Sequence, residues 1–222
     1  MKKFLFLCAV AAIAVLTSCE QKAEPVQLVD NIYTEQIAGE NPGFKLRYFN
    51  GSTYYSVSEE IYAKVSFDKD NNFIKAEKAG GGFDLYKVDG NRLGSDTYDS
   101  MEAAGKAVFI KKGERTALYL PEKGYFFGPY ASVKLEGNLI FACGTTKWGL
   151  LNTNYDYLQD MVFDKLYVIN QKSEKEYDVL RCRDGKWSMV TASGAEYEDG
   201  DVKAAVKWLE KTAKPKSPVG TL

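Results

Sequence analysis

Five stretches of this 222-residue chain repeat one pattern at nearly equal distances, and that periodicity limits the fold more than any other feature. The clearest stretch is Lys147-Trp148-Gly149-Leu150-Leu151-Asn152, and a second copy is Gly185-Lys186-Trp187-Ser188-Met189-Val190. With Leu150 as anchor, comparable anchors are Leu46, Leu85, Leu118 and Met189, at steps of 39, 33, 32 and 39 residues. Periods of this size belong to repeat architectures, in which each unit buries its apolar face against the next.

Residues at fixed offsets fill in the unit. Two before each anchor stand Phe44, Phe83, Thr116, Trp148 and Trp187. In a strand, a residue and its second neighbour share a face, so each aromatic is expected to pair with its anchor in the core. Thr116 breaks the pattern and is expected to pack less well. Soon after each anchor comes turn chemistry: Asn50-Gly51, Asp89-Gly90, Glu122-Lys123-Gly124, Asn152-Thr153-Asn154 and Ser193-Gly194. Asn-Gly and Asp-Gly are strong hairpin signals, because such turns need positive φ. A second run follows, in which an aromatic precedes an apolar residue by three: Tyr62 to Val65, Tyr98 to Met101, Tyr130 to Val133 and Phe163 to Leu166. A third apolar run closes each unit, as in Leu139-Ile140-Phe141. The expected fold is all-β, made of repeated three-stranded antiparallel units in an open stack or a small propeller.

The order of Lys-Trp-Gly-Leu-Leu-Asn, turn, Phe163-Asp164-Lys165-Leu166 and apolar strand resembles the WG (also called KWG) β-repeat family of bacterial proteins. The resemblance covers residues 43–198 and is carried best by Trp148-Gly149; at Trp187 the glycine is replaced by Ser188. It implies an all-β repeat array and names no catalytic residue.

The ends read differently. Lys2 and Lys3 precede an apolar run from Phe4 to Val15, too short to span a bilayer, and then Leu16-Thr17-Ser18-Cys19. This resembles the lipobox of bacterial lipoproteins, which implies removal of residues 1–18 as a signal peptide, lipid such as palmitate on Cys19, and membrane anchorage in the cell envelope. Removal takes two lysines and no acid, lowering the formal charge from −1 to −3. Glu20 after the cysteine fits outer-membrane sorting better than inner-membrane retention. Residues 19–42 hold Pro25, Gly39 and Pro42 among charges and read as a tether, with a short strand at Val26–Val29. Residues 199–214 space Val202, Ala205, Val206 and Leu209 as a helix, acids early and lysines late. That helix is expected to cap the open face of the last repeat. Pro215 opens a tail, residues 215–222.

Chemistry is harder to find. The chain has no histidine, which removes the commonest general base, the Ser-His and Cys-His pairs, and the usual nitrogen ligand for zinc. The near-neutral charge gives no footprint for nucleic acid. Asp68-Lys69-Asp70-Asn71 begins like a calcium loop but lacks the glycine and closing glutamate such loops need. Gly80-Gly81-Gly82 lacks the Lys-Ser/Thr of a phosphate loop and reads as an inter-repeat turn. The other aspartates, among them Asp89, Asp96, Asp99, Asp156, Asp160 and Asp164, carry no distinguishing spacing. No metal and no cofactor is expected. Cys143 and Cys182 each stand five residues before the tryptophan of their unit. They could form a disulfide if the units stack closely, or remain separate small core residues if the units are propeller blades. Tyr54-Tyr55, Tyr125-Phe126-Phe127 and Tyr155-Asp156-Tyr157 lie near turns. Exposed aromatics stack on sugars or anchor proteins, so Tyr125, Phe127, Tyr155 and Tyr157 are the candidate partner-binding residues. The alternative is that they fill a tyrosine-rich core. The expected function is a non-catalytic, envelope-anchored binding or scaffold module for a protein or glycan. The alternatives are a carboxylate-dependent hydrolase of envelope polymers and a purely structural envelope protein.

Overall fold

A computed structural model of the chain describes residues 24–173, 175–212 and 219–221; the signal segment and Cys19 lie outside them. The described chain winds into five consecutive antiparallel sheets. The first holds β1 (Val26–Val29), β2 (Ile32–Ile37), β3 (Gly43–Phe49) and β4 (Tyr54–Ser56). The second holds β5 (Lys64–Asp68), β6 (Phe73–Glu77) and β7 (Phe83–Tyr86). The third holds β8 (Ser100–Ala104), β9 (Ala107–Lys112), β10 (Arg115–Leu120) and β11 (Tyr125–Tyr130). The fourth holds β12 (Ser132–Glu136), β13 (Leu139–Cys143), β14 (Trp148–Asn152) and β15 (Tyr157–Phe163). The fifth holds β16 (Lys165–Ile169), β17 (Asp178–Arg183) and β18 (Lys186–Thr191). Helix α1 (Asp199–Thr212) follows, and β19 (Val219–Thr221) then pairs in parallel with β16.

Every anchor lies on the third strand of its sheet, and all five are buried. Each buried leucine contributes about 1.5–3 kcal/mol through area removed from water. The core is a series of layers between neighbouring sheets. Leu46, Tyr62, Ile74 and Tyr86 join the first sheet to the second. Phe73, Leu85, Tyr98 and Tyr119 join the second to the third. Leu118, Phe127, Ile140 and Leu151 join the third to the fourth. Phe141, Leu150, Phe163 and Val179 join the fourth to the fifth. Val202 and Leu209 of α1 then cover Tyr167, Leu180 and Met189, so the helix caps the outer face of the fifth sheet. None of these layers joins the first sheet to the fifth among the described residues, and the array is a row ended by the helix.

The aromatic two before the anchor is less deeply placed than the anchor itself. Phe83 is buried, while Phe44, Trp148 and Trp187 are partly exposed beside the layers. Its partner across the ladder is the aromatic that opens the second run: Phe44 with Tyr62, Phe83 with Tyr98, Thr116 with Tyr130, and Trp148 with Phe163. The next residue changes sheets. The amides of Ala63, Asp99, Ala131 and Asp164 donate to Glu77, Lys111, Cys143 and Cys182 on the second strand of the following sheet, at 2.8–2.9 Å. The closing apolar run therefore belongs to the next sheet, and the repeat seen in sequence straddles two sheets. Where the crossover residue is an aspartate, its carboxylate also fixes the next hairpin. Asp99 accepts from the Gly113 amide at 2.6 Å, and Asp164 accepts from the Asp184 amide at 2.7 Å. Lys147 of the Lys-Trp-Gly motif pairs with Asp164, which holds the carboxyl below and the ammonium above their usual ranges.

Several expectations change in the structure. Four units gain a further pairing beyond the third strand, from β4, β11 and β15 and from bridges after β7. The strand expected at Val26–Val29 is β1, but residues 32–37 are not tether: they form β2, joined to β1 by a tight turn in which Asp30 has φ 44°. Their polar residues misled because one face is a cross-strand ion pair: Glu35 is buried and receives Arg47 Nε at 2.6 Å. The tail is not without order, since β19 edges the fifth sheet. Of the two alternatives for Cys143 and Cys182, the structure takes the second: both are free and buried, with no disulfide between them. They sit on inner strands of different sheets, β13 and β17, each with both edges already occupied. Gly80-Gly81-Gly82 turns within the second sheet, between β6 and β7, rather than between repeats.

Candidate functional site

In a meander, the turns after the first and third strands fall at the same end. The hairpin turns of the third, fourth and fifth sheets therefore converge, and they enclose a cavity of ≈ 540 Å³. Its floor is apolar, from the buried Leu120, Leu139 and Tyr177. Its walls carry Lys106, Lys123 and Lys175, each from a different turn, with Glu122 the only acid among the lining residues.

The turns are fastened to one another. The Thr153 amide donates to Asn138 O at 3.0 Å, tying the β14–β15 turn to the β12–β13 turn. Lys106 Nζ donates to Asn138 Oδ1 at 2.7 Å. Lys123 Nζ donates to Asn154 Oδ1 and, at 3.3 Å, to Thr153 Oγ1. Amides that accept from lysine through oxygen are left with their NH2 groups as donors. The cavity thus presents ammonium and amide donors over an apolar base, and it suits an anionic ligand with an apolar face.

An aromatic shelf adjoins it, built by the β10–β11 and β14–β15 turns. Asn152 closes the β14–β15 turn: its Oδ1 accepts from the amides of Asn154 and Asp156 at 2.9 and 3.0 Å. Its Nδ2 donates to Asp156 Oδ2 at 2.8 Å. The turn holds Tyr155 at φ 76°, a region few residues other than glycine enter. The ring then lies flat on Phe127 of the neighbouring sheet, centroids 4.4 Å apart and planes 17° apart. Tyr155 Oη donates to Phe126 O at 3.2 Å, and Tyr125 meets Tyr155 edge-on at 5.9 Å.

Of the four aromatic candidates, three are accessible: Tyr125 is 40% exposed, Tyr155 44% and Tyr157 55%. Phe127 is fully buried and supports Tyr155 from beneath instead of meeting a partner. Tyr157 stands beside Tyr130, whose hydroxyl is pushed far up by burial and by its tyrosine neighbours. Burial also raises Tyr155, with Tyr157 adding to it. Tyr54 lies apart, with Tyr33 and Phe49 on the first sheet. None of the repeat-core residues Phe44, Phe83, Trp148, Trp187, Leu150 and Met189 lines this cavity. Among the described residues no three carboxylates or thiols come together as metal ligands. In the Asp68 turn both carboxylate oxygens accept from Asn71, at 3.0 Å each.

The lysines and Asn138 were not legible as a site. They come from separate units, and only the shared position of all first and third turns at one end brings them together. The available signal was the pairing of lysine with turn glycine, in Gly105-Lys106 and Lys123-Gly124.

No family model and no curated protein matches the chain. Among solved structures it is similar to Kluyvelomyces marxianus Hsv2, with 8% identity and a TM-score of 0.29 over 74% of this chain and 59% of that one. It is also similar to PorZ, a bacterial surface component of the type-IX secretion system of Porphyromonas gingivalis, with 12% identity and a TM-score of 0.26 over 78% of this chain and 27% of that one. The WD40 β-propeller domain of Doa1 gives 11% identity and a TM-score of 0.24 over 78% and 66%. The chain thus spans less than two thirds of the length of Hsv2 and about a quarter of that of PorZ.

Proposed function

We propose that the protein is a non-catalytic, envelope-anchored lipoprotein that binds an acidic glycan at the convergent turns. One observation carries this: three lysines over an apolar floor stand next to a shelf of exposed tyrosines. Tyrosine faces stack on the C–H faces of sugar rings, and ammonium groups pair with uronate or sulfate. The Leu-Thr-Ser-Cys19 motif supports lipid on Cys19 and an outer-membrane address, and the Lys-Trp-Gly resemblance supports a repeat scaffold without chemistry of its own.

The lipid-free protein (residues 20–222) is expected to bind hexagalacturonate in titration calorimetry, more weakly as salt rises. A neutral hexasaccharide should bind much less. Sulfated oligosaccharides in a parallel titration separate sulfate from uronate preference. Tyr155→Ala and the pair Lys106→Ala/Lys123→Ala should each lower affinity by about tenfold or more, or ~1.4 kcal/mol. Absence of binding to any acidic glycan, or equal binding to neutral ones, overturns the proposal. Palmitate labelling of the full chain, lost in Cys19→Ala, tests the anchor.

A further inference from the structure

The two ends of the row are finished differently. Helix α1 covers the fifth sheet, while no core layer forms on the outer face of the first sheet among the described residues. Residues opposite one another in a ladder share a face, as do second neighbours on one strand. Tyr33 stands opposite Arg47, Glu35 opposite Lys45, and Phe49 opposite Tyr54. These residues all turn away from Ile32 and Leu46, which lie in the layer against the second sheet. The three aromatics form one cluster. Tyr54 meets Tyr33 at 5.1 Å and Phe49 at 4.8 Å, and Tyr33 meets Phe49 at 5.9 Å. Tyr54 is 40% exposed, and Tyr33 and Phe49 are partly exposed. Glu35 is held by Arg47, so the buried acid of this face already has its cation.

We propose that this face rests on the bilayer surface with its aromatic cluster at the level of the lipid headgroups, an inference that rests on the lipid anchor proposed at Cys19. Because β1 begins at Val26, six residues, 20–25, separate that anchor from the first sheet. Seven Cα steps of at most about 3.6 Å reach roughly 25 Å. Four strands about 4.8 Å apart span only ~15 Å, so the sheet is comparable in size to its own tether. A tether this short holds the face near the bilayer at high effective concentration, and a weak contact suffices to dock it. Tyrosine suits the boundary, with an apolar ring and a polar tip. Charge does not drive the contact. Glu24, Asp30, Glu40 and Glu59 are exposed in the segments flanking the strands of this sheet. The occupant is therefore a zwitterionic lipid surface rather than an anionic one. Docked in this way, the row stands on its first sheet, and the convergent turns begin two sheets further along it.

The test couples residues 19–222 through Cys19 to a maleimide lipid in phosphatidylcholine vesicles; Cys143 and Cys182 are buried. Hydrogen–deuterium exchange is compared with that of the same protein capped at Cys19 by N-ethylmaleimide. Coupling should slow exchange at least about threefold in residues 30–33 and 50–54, and leave α1 and 152–158 unchanged. Tyr33→Ser/Tyr54→Ser should remove the slowing. Because that pair can also loosen the sheet, Tyr54→Ser alone, on the edge strand β4, is measured beside it and should weaken the slowing. Replacing part of the lipid with phosphatidylglycerol should weaken it too. Unslowed exchange in the first sheet overturns the proposal. So does slowing that survives both substitutions, that grows on anionic vesicles, or that spreads along the third to fifth sheets. The maleimide link replaces the cell's own lipid, so the two readings fail separately. Palmitate labelling without slowing refutes this face and leaves the anchor. Slowing without labelling refutes the anchor, and with it docking in the cell.

Discussion

Replacing Asp84 with Ala is expected to cost about 2–4 kcal/mol of folding stability, through lost hydrogen bonds to a buried carboxylate. Asp84 is 1% exposed on β7, beside the anchor Leu85. Its Oδ1 accepts from Arg92 Nη2 and Thr97 Oγ1, both at 2.7 Å, and its Oδ2 from Tyr62 Oη at 3.0 Å, with Lys78 at 3.5 Å. Thr97 and Arg92 belong to the irregular segment that replaces a fourth strand in the second sheet, and Tyr62 belongs to the crossover from the first. One carboxylate therefore fastens three pieces of chain. Arg92 and Lys78 reach partly into water and can turn outward, which keeps the loss below that of a fully buried pair. Burial pushes the carboxyl up, but the Thr97 and Tyr62 bonds and the two cations outweigh it and hold it below the usual range. Tyr62 is displaced far upward, by burial first. Because the folded value lies below the unfolded one, near 3.9 for a free aspartate, the stabilisation is present above that pH. It is lost as pH falls through the folded value. Urea unfolding of wild type and Asp84→Asn should show a gap at pH 6 that narrows at pH 3. A gap independent of pH would contradict this account of the site.

Gly149→Ala is the second large effect, at about 1–3 kcal/mol from overpacking. A Cβ there would stand 2.5 Å from Met161 Cγ and 3.0 Å from the Gln159 carbonyl and the Met161 amide. The cause is the bulge in β15, which skips residues between its pairings with Trp148 and Leu150 and presses its backbone onto β14. The same position in the third sheet is Ala117, opposite a similar irregularity in β11. In the fifth sheet it is Ser188, where no fourth strand passes among the described residues. Ser188→Ala should therefore change stability by less than about 0.5 kcal/mol beyond the loss of its bond to Arg181. Chemical denaturation of both variants checks the contrast, and equal losses would refute it.

These residues show where sequence was informative. The anchors stood out because burial on the third strand demands a large apolar side chain five times over. The phase of the unit did not, because the chain switches sheets within one extended run, between Tyr130 and Ala131 or Phe163 and Asp164, with no turn residue to mark it. Trp-Gly was visible as a motif, while its reason, a bulged neighbour, was not. Strand β2 was hidden by Glu35, which looks like a solvent residue until it is paired with Arg47. In the site, Tyr125 and Tyr155 were legible as aromatics near turns. Their contact through Phe127, and the three lysines beside them, depend on which ends of which hairpins meet.

The claim at the centre of this account is that the convergent turns of the third, fourth and fifth sheets are the binding site. Hydrogen–deuterium exchange of residues 20–222, with and without saturating hexagalacturonate, tests it most directly. The account predicts slowed exchange in 105–107, 121–127, 137–139, 152–158, 175–177 and 192–193, with the far ends of β17 and β18 and the first sheet unchanged. Protection confined to β15 and β18, or to the first sheet, would contradict it.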